Sequence, residues 1–276
     1  MSNLHEEFRS WSDIERFLPD SLQPTEVPAA RDYVDDGRRP WRGELLLVVY
    51  EAGSEPTEPN RCAFRAASAI ELLAGYIHAR SEFLVQGSDQ QGQPSTSRTE
   101  LILAGDFLQG LAFETLGSME CSDTVVQRCF ETATRTVESV VRESFTSEPT
   151  SSHELVRTPD SATDPSFASQ PSAKLGALAT DLGRILGGHG PTDSEQLRAT
   201  GAIVGMAIEN ERDHRMEAPA LDPTPRPQTT HGNSPDLETP DTYWESAQDI
   251  VARIEPAAFR CRLRAFLESL STGLEQ

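Results

Sequence analysis

Apolar residues recur along this chain at helical rather than strand spacing. Ala66, Ile70, Leu73 and Ile77 step by four, three and four, and Val126, Phe130, Ala133, Val137 and Val141 repeat the pattern. Such steps return to one side of a 3.6-residue turn, so each run draws a single buried stripe. The pattern predicts helices at about 5–18, 24–35, 41–53, 62–85, 99–117, 121–145, 172–187, 194–216, 243–253 and 256–272. Leu45–Tyr50, LLLVVY, has strand propensity, but its helical flanks and the lack of any alternating segment elsewhere favour a buried helix. The fold class expected is all-α.

Two stretches break the pattern. Residues 146–171 are rich in Ser, Thr, Pro and Asp, and residues 217–242 carry several prolines and almost no large apolar side chains. Neither buries enough surface to offset the entropy of ordering, so both are expected to be mobile loops within a single domain spanning 1–276. Gly201 and Gly205, four apart in GAIVGMA, are expected to let two helices of the bundle approach closely.

Charge narrows the partners. The chain carries 44 acidic against 24 basic residues, a formal net charge of −20, which repels nucleic acid and anionic membrane surfaces alike. Lys174 is the sole lysine. This balance suits a cytoplasm with molar salt, where the Debye length shrinks to about 3 Å. A GC-rich genome encoding an acidic protein accounts for the same composition. No basic stretch followed by an apolar run opens the chain, so a cytoplasmic location is expected. The most apolar run, LILAGDFLQGLAF, is interrupted by Asp106 and Gln109 and is too short to span a bilayer, so no membrane insertion is expected. Cys62, Cys121, Cys129 and Cys261 show no Cys-x-x-Cys spacing and read as buried thiols, not as a zinc site or disulfide framework.

Four segments, in order, resemble the trans-prenyl diphosphate synthases of the farnesyl and geranylgeranyl type. GRRPWRGELLLVVYEAG, residues 37–53, is similar to the family's Gly-Gly-Lys-Arg-x-Arg-Pro segment, whose basic side chains hold the diphosphate of isopentenyl diphosphate. Aligned without gaps, Arg39 and Arg42 take basic positions and Pro40 replaces an arginine; a shift of one residue uses Arg38 and Arg39 instead. AIELL at residue 69, followed by ELILAGDFLQGLAFETLGS at residues 100–118, resembles the family's paired AIEL and AGD segments. AKLGALATDLGRILGG, residues 173–188, is similar to the Lys-Thr-Gly-Ala-Leu helix, with Lys174 on its phosphate-binding lysine. LRATGAIVGMAIENERDHRM, residues 197–216, resembles the helix bearing the second aspartate-rich motif. The resemblance covers most of residues 37–216 and implies an isoprenoid-synthase-like helical bundle, with Arg39, Arg42 and Lys174 as diphosphate-binding candidates.

The family's chemistry requires two Asp-Asp-x-x-Asp motifs on facing helices, which hold magnesium against an allylic diphosphate. Here the first motif becomes Ser81-Glu82-Phe83-Leu84-Val85 and the second Arg212-Asp213-His214-Arg215-Met216, one carboxylate in each. The paired arginines that follow the first motif become Gln90 and Gln91. Phe83 and Leu84 are large enough to plug the cavity. Removing one preorganised electrostatic group typically costs about 100- to 1000-fold in rate, and here most of the set is gone. Asp106, in AGDFL, is expected to cap or hydrogen-bond within the bundle. Glu209 and Asp213, one helical turn apart, offer a remodelled metal site with His78 and Glu82 opposite, or else a solvated acidic face.

The leading expectation is a non-catalytic homologue that partners an active prenyl diphosphate synthase, or itself as a dimer, in supplying C20 lipid or carotenoid precursors. It assigns no catalytic residue, metal or cofactor. The alternatives are a residual or altered prenyltransferase, in which magnesium binds Glu209 and Asp213, and an isoprenoid-binding or structural protein.

Overall fold

The helical period is realised across the described residues. The computed structural model describes residue 14 and residues 27–34, 39–53, 61–88, 97–146, 170–188, 194–217, 240–254 and 257–274. Its elements in chain order are α1 (Pro28–Asp32), α2 (Trp41–Gly53), α3 (Arg61–Ser88), α4 (Arg98–Gly117), α5 (Asp123–Thr146), α6 (Pro171–Gly187), α7 (Ser194–Glu217), α8 (Pro240–Val251) and α9 (Ala257–Leu274). No strand occurs among the described residues, so the fold is all-α as expected. Of the segments read as loops, 146–171 and 217–242, the parts 147–169 and 218–239 lie outside the described residues, whereas Thr146, Pro171, Glu217 and residues 240–242 belong to α5, α6, α7 and α8. The first expected helix is likewise outside them except for Ile14, whose carbonyl accepts a 2.8 Å bond from Ser68 Oγ on α3.

Leu45–Tyr50 lies within α2, as its flanks predicted. Its lack of periodicity has a physical cause: α2 is enclosed on several sides, and Trp41, Leu45, Leu46, Leu47, Val48 and Val49 are all buried. α3 packs on α2, α4 and α6; α9 closes over α2, and α8 lies on α7. α4 opens with a capping box, in which Ser97 Oγ accepts from Glu100 N at 3.2 Å and the Glu100 carboxylate accepts from Ser97 N at 2.8 Å. Asp106, expected to bond within the bundle, instead stands exposed on α4.

The tightest contact joins α6 to α7. Gly176 and Gly201 meet backbone to backbone, and Gly205 lies against the Ser172 carbonyl, so the pairs 172/205 and 176/201 run antiparallel. A Cβ at any of the three glycines would overlap the opposing carbonyl. On another side of α6, a Cβ at Gly183 would stand 2.5 Å from Leu46 O of α2. α6 is therefore clamped between two helices, each held at glycine distance.

Because the obstacle is main chain, it has no rotamer escape. Gly176→Ala and Gly201→Ala are each expected to lower stability by about 3 kcal/mol or more, read as the denaturant midpoint at constant salt. Gly110→Ala, where nothing lies within 4 Å of the added methyl, is expected to raise stability by about 0.5–1 kcal/mol.

Candidate functional site

The residues aligned with diphosphate-binding positions lie at the start of α2 and the start of α6. Arg39 Nε donates to Glu44 Oε2 at 2.6 Å, and its Nη1 donates to the Ser269 carbonyl of α9 at 3.0 Å. Arg42 stacks over the Trp41 ring at 4.6 Å, and its Nη1 meets Glu71 Oε2 at 3.3 Å. Arg42 Nε is buried with no hydrogen-bond partner. Lys174 reaches α5, where Nζ lies 2.5 Å from Glu143 Oε2 and 2.8 Å from Ser139 Oγ. Each of the three cations thus faces a carboxylate of its own chain.

Those partners escaped the sequence reading. Glu71 lies in the AIELL segment and is buried, accepting a 2.8 Å bond from Gly43 N in the first turn of α2. Burial pushes its carboxyl above the usual range, while Arg42 and the Gly43 amide pull it back. Glu44, Glu71 and Glu143 are three acids among 44, and nothing local marks them.

The acidic candidates have separate local partners. Glu82 accepts from the Tyr33 hydroxyl just beyond α1, and the Tyr33 ring meets His78 edge-on at 5.4 Å. Burial, followed by Glu82, drives the Tyr33 hydroxyl upward. Glu209 accepts a 2.7 Å bond from Ser172 Oγ of α6. The side chains of residues 211–217, Asp213 included, lie outside the described residues. Among the described residues no three His, Cys, Asp or Glu side chains are grouped to hold a metal ion. The carboxylates that are described therefore do not fit a magnesium–diphosphate cage.

A shallow groove, partly open to solvent, lies between the C-terminal half of α3 and α5. Tyr76, Ile77 and Leu84 face Val140 and Val141 across it, with Arg80 and Ser81 as its polar members. Leu84 thus lines this space. Phe83 turns to α4, its ring 4.5 Å beneath the Arg98 guanidinium. The two side chains expected to fill one cavity serve different contacts.

Comparison with known proteins agrees with the architecture. No protein-family model matches the chain. The geranylgeranyl diphosphate synthase of Methanosarcina mazei is 24% identical over 201 residues, covering 71% of this chain; the match spans 60% of that protein's length. The geranyltransferase of Helicobacter pylori, solved with magnesium and isoprenyl diphosphate, superposes with a TM-score of 0.69 at 18% identity over 99% of both chains. The geranyl diphosphate synthase small subunit of Antirrhinum majus superposes with a TM-score of 0.61 at 17% identity, over 93% of this chain and 95% of that one. The chain has the all-α fold of the trans-prenyl diphosphate synthases. No described helix is long and apolar enough to cross a membrane.

The paired start of α2 has a measurable consequence. Glu44 is 5% exposed, and burial pushes its carboxyl up to about 7, with Arg39 pulling down and Glu71 pushing further up. A carboxyl that holds its proton more tightly when folded lends stability in full below its unfolded value. That stability is lost as pH rises through the folded value. Across the window from pH about 4.5 to above 7, the protein is expected to lose about 3 kcal/mol through this group. Glu44→Gln is expected to flatten that slope, which denaturant titrations at stepped pH and fixed high salt measure directly.

Proposed function

We propose that this chain is a non-catalytic prenyl diphosphate synthase homologue that serves as a partner or regulatory subunit in isoprenoid biosynthesis. One observation carries the reading: the cations aligned with diphosphate-binding positions are each tied to an internal carboxylate, Arg39 to Glu44, Arg42 to Glu71 and Lys174 to Glu143. A diphosphate would have to displace buried or half-buried ion pairs to reach them, against the field of a chain at −20. Each aspartate-rich motif has also been reduced to a single acid, so the metal that would offset the leaving group's charge lacks its ligands.

The retained bundle suits a role needing a surface rather than a reaction. The large apolar side chains most exposed among the described residues are Leu103 on α4, 53% exposed, and Phe130 on α5, 40% exposed. The likeness to a geranyl diphosphate synthase small subunit supports a second polypeptide as what these side chains meet. That polypeptide is an active prenyl diphosphate synthase of the same cell. Under this reading the described groove, too shallow to enclose an isoprenoid chain, is not a reaction chamber.

Two experiments test the proposal. Purified protein given magnesium, isopentenyl diphosphate and allylic diphosphates in high salt is expected to yield no prenyl product above a no-enzyme control. Turnover abolished by Asp213→Ala would overturn the non-catalytic reading. Coexpressed with the cell's active synthase, the chain is expected to form a heteromer by light scattering and to change the product length or stability of that enzyme. Leu103→Asp with Phe130→Asp is expected to weaken the association at least tenfold without changing the helical circular-dichroism signal. A synthase that neither binds nor responds would sink the subunit role.

A further inference from the structure

Three of the four cysteines, far apart in sequence, converge at one end of the bundle. Cys62 is the second residue of α3 and is buried; Cys129 lies on α5 and is fully buried; Cys121, in the α4–α5 connection, is half-buried. The Cys121 thiol lies beside Cys62, and Cys129 is close enough to interact with both. A second interaction holds this contact in register. Arg65, one turn along α3 from Cys62, donates to the Ser118 carbonyl and pairs with Glu120 at 3.5 Å, so the segment carrying Cys121 is fastened to the first turns of α3. All four cysteines are thiols. Among the described residues no group of His, Cys, Asp or Glu is arranged to hold a metal ion.

We propose that Cys62 and Cys121 are a disulfide-forming pair that closes under peroxide, clasping the start of α3 to the α4–α5 connection. Cys121 reacts first because the other two thiols are buried. Its sulfur attacks a peroxide oxygen, gaining a hydroxyl as sulfenic acid while water leaves. Cys62 sulfur then attacks Cys121 sulfur, forming the S–S bond and expelling the hydroxyl with a proton as the second water. Two thiols and one hydrogen peroxide yield one disulfide and two waters. Burial first, and the neighbouring Cys62 second, push the Cys121 thiol up to about 11. Little thiolate therefore exists near neutrality, and the pair closes slowly, as a response to sustained oxidant rather than a rapid sensor. The bond encloses α3 and α4 in one covalent loop, which restricts the unfolded chain.

The test uses the full chain carrying Cys261→Ser, which removes the exposed thiol, treated with hydrogen peroxide in high salt and mapped by non-reducing peptide mass spectrometry. Expected is one linked peptide joining Cys62 to Cys121, lighter by two hydrogens and reversed by dithiothreitol. Its rate should rise about tenfold per pH unit through the neutral range, following the thiolate fraction. The melting temperature of the oxidised protein should rise by roughly 5–10 °C. Cys129→Ala is expected to leave the link intact, whereas Cys62→Ser should strand Cys121 as oxygen adducts. A link from Cys121 to Cys129, or oxygen adducts on Cys121 while Cys62 stays a thiol in otherwise unchanged protein, would overturn the assignment.

Discussion

The backbone contact between Gly176 of α6 and Gly201 of α7 fixes the rotation of α6, and much else follows from that rotation. Residues advance about 100° each around a helix, so Lys174, two positions before Gly176, points roughly opposite the glycine face. With Gly176 and the Ser172 carbonyl turned to α7, Lys174 is delivered to α5, where Glu143 and Ser139 receive it. The same rotation buries Asp181, which Arg198 of α7 meets at 3.4 Å. A contact that looks like pure packing therefore decides where the only lysine can act.

Salt separates the ion pairs into two groups. Arg135–Glu131, Arg142–Glu138 and Arg264–Glu268 are exposed i,i+4 pairs on helix surfaces. Such pairs are worth little in dilute buffer and less in concentrated salt. Arg42–Glu71 is different, because both partners are largely enclosed and salt cannot penetrate between them. Burying the pair carries a desolvation cost, which the Gly43 amide partly offsets by donating to Glu71 from the positive end of α2. Stability in an acidic chain of this kind rests on the few enclosed pairs and the apolar core, not on the many charges at its surface.

The helices were legible because their determinants are local. Alternating steps of three and four gave α3 and α5, and LLLVVY resolved as helix once its flanks were weighed. The Gly201 and Gly205 spacing announced a close helix contact, though not that Gly176 stood across from it. The candidate cations were legible by resemblance, yet their partners were not. Arg39 and Ser269 are separated by most of the chain, and Glu143 meets Lys174 only after α5 and α6 have docked. The thiol cluster escaped for the same reason, since Cys62 and Cys121 are joined by the α3–α4 packing and the Arg65 fastening, neither written in local spacing.

A catalyst built on this bundle holds several cations ready for a diphosphate that is absent most of the time, and their mutual repulsion weighs against the resting fold. In the proposed reading, Glu44, Glu71 and Glu143 occupy the positions facing these cations that a substrate would occupy in passing. The segment aligned with the first aspartate-rich motif fits the same reading: Glu82 is engaged by Tyr33, Phe83 by Arg98, and Leu84 by the groove wall. In the proposed reading, both halves of the family's machinery, anion holders and metal ligands, have been exchanged for contacts that favour the folded chain by itself. Under the proposed subunit role that exchange is coherent, because a partner surface is useful only while it is folded, and nothing in it has to wait for a ligand.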